Sequence, residues 1–151
     1  MTSTDSIDVV TISLEIDGTP SLFILLANDG SINRMGPGSV HNTEHDMYIG
    51  VIDNKPFQKV RAKIPADWLD QSGRFEQPNR MGPECELTIG LRRTDGEDVI
   101  IQILYGAESE GPPEDVVDFV STAVDLTANW TRKQKALAEK ADGEKPWWKF
   151  W

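Results

Sequence analysis

The sequence predicts an α+β fold: an antiparallel sheet of about six strands, laid down as three sequential hairpins and covered on one face by a long C-terminal helix. Three observations carry this. Apolar and polar residues alternate between residues 10 and 16, before a more apolar return over 21–27, and again between residues 85 and 105, the period of strands with one buried face. Turn-forming residues separate the alternating runs at hairpin spacing. From residue 112 the apolar period lengthens to three and four, as on an amphipathic helix. No long crossover is expected before residue 105, so the strands should pair antiparallel.

In the first hairpin Val10, Ile12, Leu14 and Ile16 alternate with Thr11, Ser13 and Glu15. Asp17-Gly18-Thr19-Pro20 supplies the turn, residues 21–27 return, and Asn28-Asp29-Gly30 closes the unit. A second hairpin is expected over residues 47–64, turning at Asp53-Asn54-Lys55-Pro56, with a short helix at Ala66-Asp67-Trp68-Leu69-Asp70. The third spans residues 85–105. Leu87, Ile89 and Leu91 face one way, Thr94-Asp95-Gly96-Glu97 turns, and Val99, Ile101, Ile103 and Tyr105 alternate back.

The helix opens at Pro112-Pro113-Glu114-Asp115. Proline in a first turn forfeits no needed N–H bond, and two acids suit the positive end of the helix dipole. Val116, Phe119, Val120, Ala123, Thr127 and Trp130 make one apolar stripe, and Gly143 stops the helix behind Lys133, Lys135 and Lys140. Beyond Trp130 only Leu137 and Ala141 continue the stripe. The first half should therefore pack on the sheet and the second project into solvent. Residues 1–141 are expected to form a single α+β domain, and residues 142–151 a linker and an aromatic C-terminal tail.

Asn33-Arg34-Met35-Gly36-Pro37 recurs as Asn79-Arg80-Met81-Gly82-Pro83. Each copy precedes an expected hairpin and then a helix start after proline, at Pro65 and Pro113, so the last two hairpins read as an internal repeat. Turn chemistry accounts for the motif: asparagine bonds its own backbone, glycine takes positive φ, and proline stiffens the exit. The functional alternative is that Arg34 and Arg80 sit as symmetry mates on one surface and grip an anion, a carboxylate or phosphate, in a forked geometry.

The chain has 151 residues, 38% of them hydrophobic, with 15 basic against 25 acidic residues and a net charge of −10. A body so acidic repels phosphate backbones, which argues against a nucleic-acid partner. The lone cysteine, Cys85, excludes an intrachain disulfide and any cysteine-rich zinc site. Glu84 and Glu86 flank it and disfavour a thiolate nucleophile. No cofactor-binding motif is present, and none is expected to be needed.

The two histidines fall in His41-Asn42-Thr43-Glu44-His45. On a helix, His41 and His45 would share a face and hold zinc, with Glu44 as base. The string resembles the His-x-x-Glu-His order of inverted zinc peptidases, which implies a metal-dependent hydrolase as an alternative function. The flanks, Gly36-Pro37-Gly38 and Tyr48-Ile49-Gly50, lack an apolar stripe to hold such a helix. A solvated loop is the expected state.

The tail is the most informative segment. Trp147, Trp148, Phe150 and Trp151 are four of the chain's twelve aromatics (five Trp, two Tyr, five Phe). Residues 131–151 carry six basic and three acidic groups, a net +3, which leaves −13 on the preceding 130. Exposed aromatics at a terminus need a cover. Candidates are the chain's own acidic body, a partner or second copy, and a membrane interface where Trp and Lys are favoured. Anionic lipids would repel the acidic body, so membrane attachment should be weak. The expected function is a non-enzymatic protein-binding or adaptor domain whose Trp-rich motif docks on a protein partner or in a homodimer. The alternatives are the hydrolase and a peripheral membrane-associated protein. The N-terminus has neither a basic cluster nor an apolar run of signal length, so a cytoplasmic location is expected.

Overall fold

The computed structural model describes residues 6–36, 47–94, 97–109 and 111–143. Strands β1 (Ile7–Ile16) and β2 (Thr19–Ala27) form the first hairpin, with Ile12 opposite Ile24. Asp17 and Gly18 between them both have positive φ, 50° and 79°, the pair of conformations that a two-residue hairpin turn needs to match strand twist. Asp17 also pins this turn to the start of the third hairpin, at Glu84. Its N–H donates to the Glu84 carbonyl at 2.8 Å, and its Oδ1 accepts from the Glu84 N–H at 2.9 Å.

Strands β6 (Glu84–Arg93) and β7 (Asp98–Gly106) form the expected third hairpin, with Ile89 opposite Ile101. The two hairpins join at the centre of the sheet, where Ile12 pairs with Ile89. Ile24, Ile12, Ile89 and Ile101 thus make one buried row across four strands.

The middle of the chain departs from the expectation. Strand β4 (Met47–Val51) forms, but its partner is β3 (Ser31–Met35), and the expected return strand is a helix, α1 (Lys55–Ala62). Pro56 sits in its first turn, and an Asp-Asn-Lys-Pro string serves a helix start as well as a hairpin turn. Phe57 and Val60, three apart, are buried on one side of α1, with Ile64 buried just beyond it. That is helical rather than strand spacing. The short helix at Ala66–Asp70 is present as a 3-10 turn that buries Trp68 and Leu69.

A seventh strand, β5 (Gly73–Glu76), adds parallel to β7. The sheet is therefore mixed, mostly antiparallel, with seven strands rather than six in the order β4-β3-β2-β1-β6-β7-β5. All four residues of β5 are exposed, so it carries no alternating pattern by which to find it.

Helix α2 (Glu114–Gly143) lies on the same face as α1. Val116, Phe119, Ala123 and Thr127 are buried against the sheet, and Trp130 packs over Gly50 of β4. Beyond Trp130 the described side chains are mostly exposed, Leu137 at 60%. The division of the helix into a packed half and a projecting half is as expected. The opposite face of the sheet carries no helix among the described residues and exposes Met47, Ile49, Val51 and Ile100.

Candidate functional surfaces

The repeated pentapeptide folds in two ways. Arg34 lies in β3 and points under α2, with only 4% of its surface exposed. Its Nε donates to the Gly36 carbonyl at 3.1 Å, and Nη1 donates to the Val124 carbonyl at 3.3 Å and to the Thr127 hydroxyl. Burial lowers its pKa from the ordinary arginine value. Arg80 instead lies in the loop before β6, with Nη1 3.9 Å from Glu76. The two arginines are not symmetry mates, and they do not face one surface. What the copies share is local: Gly36 and Gly82 both take positive φ, 71° and 77°, as the turn chemistry requires. A five-residue identity leaves the choice between strand and loop to the surroundings.

The His41, Glu44 and His45 cluster and the tail aromatics Trp147, Trp148, Phe150 and Trp151 lie outside the described residues. Among the described residues no group of three His, Cys, Asp or Glu side chains is placed to hold a metal ion, and no helix is long and apolar enough to cross a membrane. Cys85 is buried beneath the turn that precedes β6, its Sγ 3.8 Å from the Pro83 carbonyl. Burial raises its pKa, with Tyr105 and Asp17 as lesser influences. A protonated, covered thiol is a poor nucleophile.

The described surface offers two features that bear on binding. One is a groove of about 320 Å³ where β5 and β7 meet the start of α2, walled by Trp68, Phe75, Ile101, Ile103 and Val116 and edged by Asp115. Trp68 is held there by two contacts. Its Nε1 donates to Asp115 Oδ2 at 3.3 Å, and its ring meets Phe119 edge-on, with centroids 5.2 Å apart at 78°. Phe75 is 47% exposed at the groove's open side. Glu114 and Asp115 have no ion-pair partner among the described residues, whereas Asp118 pairs with Lys63 at 3.3 Å and Glu76 with Arg74 at 3.1 Å. The sequence singles out none of this as a site. Phe75 reaches the groove only through the parallel pairing of β5 with β7, a contact with no local signature.

The other feature is the open sheet face at its β4 edge, where Ile49 is 73% and Val51 76% exposed. No protein-family model matches the chain, and no curated protein matches it.

Proposed function

We propose that this chain is a protein-binding or adaptor module that presents its C-terminal aromatic motif at the end of a projecting helix. The observation that supports this reading is the split of α2. Its last packed side chain is Trp130 over Gly50, and residues 132, 133 and 135–139 are exposed. The thirteen residues from 131 to 143 extend about 20 Å at the α-helical rise of about 1.5 Å each. Gly143, where the described helix ends, is thus about 20 Å along the helix axis from the Trp130 contact. Trp147, Trp148 and Trp151 are the anchors, since tryptophan is enriched where binding energy concentrates.

The test compares the full chain with a variant in which Trp147, Trp148, Phe150 and Trp151 are all replaced by alanine. The variant should melt within about 2 °C of the parent, the shift expected of a change worth only a fraction of a kcal/mol. It should also lose the proteins that the parent captures, and a peptide of residues 144–151 should compete them off the parent. A melting point many degrees lower would make the motif a component of the fold and end this reading.

A further inference from the structure

We infer that the groove between Trp68, Phe75 and the start of α2 receives the aromatic tail of a second copy of this chain. The inference rests on the tail being a binding handle, as proposed above, and names its receptor. Reach excludes the chain's own groove. The groove lies at the first turn of α2, against Pro113, Asp115 and Val116, and the tail starts at the other end of this thirty-residue helix. Thirty residues at about 1.5 Å each make about 45 Å. The eight residues 144–151, fully extended, cover at most about 29 Å.

Chemistry matches across copies. Trp68, Phe75, Ile101, Ile103 and Val116 give an apolar floor with Gln71, Glu76 and Gln77 around it, and about 320 Å³ is at the small end of the range for pockets that enclose compact ligands, about 300–1,000 Å³. That is the scale of an indole rather than of a long peptide. The edge offers Asp115, which has no ion-pair partner among the described residues and follows Glu114 in the chain, and the tail brackets Trp147 and Trp148 with Lys145 and Lys149. Opposite charges at the rim favour this pairing and its register. The acid edge also complements the wider asymmetry between a −13 body and a +3 terminal segment. Two copies set side by side with their α2 helices antiparallel bring each tail to the other's groove. The exchange is self-complementary and closes as a dimer.

Sedimentation of the full chain over a range of concentrations tests this. The parent should form a dimer that weakens as salt is raised. The four-alanine tail variant and Phe75→Asp should each sediment as monomers, and an equimolar mixture of the two should recover a one-to-one complex through the single intact tail and groove. Glu76→Lys, at an exposed rim position, should weaken dimerisation about tenfold at low salt, and it decides the matter if Phe75→Asp fails to fold. Ile49→Asp, on the open sheet face, should leave the dimer intact. A dimer lost with Ile49→Asp but kept with Phe75→Asp would place the tail elsewhere and overturn the proposal. A parent that stays monomeric, or a tail variant that still dimerises, would also overturn it, while the handle reading would stand for a different protein partner. A collapse in melting temperature of the tail variant, compared with the parent at a concentration where both are monomeric, would instead fail the handle reading itself.

Discussion

The Arg34 guanidinium donates to the Thr127 hydroxyl, 93 residues away in sequence, and that hydroxyl donates onward to the Ala123 carbonyl at 2.8 Å. A cation on β3 is thus tied to the middle of α2 through neutral acceptors alone among its described partners. Desolvating a charge is costly, so such a group persists where its hydrogen bonds are made. Here they fasten α2 to β3 at Val124 and Thr127.

Arg34→Ala should therefore cost about 2–4 kcal/mol, combining lost charged hydrogen bonds with a cavity. Arg34→Met, which fills the space without a charge to desolvate, should cost clearly less. Thr127→Val leaves the cation short of an acceptor and should cost about 1–3 kcal/mol. The double variant Arg34→Met/Thr127→Val should lose less than the sum of the two. Urea unfolding of the four proteins measures this coupling.

Gly50 sits beneath Trp130, and a Cβ there would stand 2.8 Å from Cζ2 of the indole. Gly50→Val should destabilise by about 1–3 kcal/mol through overpacking. Trp130→Ala in the same chain should recover part of that loss, because it removes the obstructing ring. A thermal-melt cycle over the four proteins checks it, and independent costs would count against the contact.

The two halves of α2 should respond differently to mutation. Phe119 is fully buried and meets Trp68, whereas Leu137 is 60% exposed. Phe119→Ala should cost about 3–5 kcal/mol. Leu137→Gln should move stability by no more than about 0.5 kcal/mol. Denaturant midpoints read both, and a large effect at Leu137 would mean that the projecting half is covered.

Burial pushes the Tyr105 phenol from its ordinary 10.0 up to about 12, with its cross-strand neighbour Cys85 adding to the shift. The unfolded chain loses this proton near pH 10 and the folded chain near pH 12. The stability from keeping the phenol neutral is therefore complete below pH 10 and is lost as pH climbs towards 12. Over that window the parent should lose more stability than Tyr105→Phe, measured as urea midpoints at matched pH. Cys85, raised by burial in the same way, should resist maleimide at neutral pH in the native protein and react once it is unfolded.

Much of the fold was legible in sequence because its signals are local. The period of two in β1, β6 and β7 and the stripe of α2 record which side of each element meets the core, whatever the partner. The fade of that stripe after Trp130 likewise foretold where α2 leaves the sheet. Helical spacing of Phe57, Val60 and Ile64 was also present, but the turn-like string before it reads equally well as a hairpin tip.

Residue order and periodicity by themselves determined the two central hairpins, the long helix and the charge contrast between body and tail. Tertiary structure alone decided that β3 takes β4 as its partner, that β5 lies parallel to β7, and that one copy of the pentapeptide buries its arginine while the other leaves it beside Glu76. The groove belongs to this second group. Its walls come from residues 68, 75, 101, 103 and 116, brought together by strand pairing and helix packing over long sequence separations. Such contacts are chosen by the global burial of apolar surface, and a short stretch of chain has no means of recording that choice.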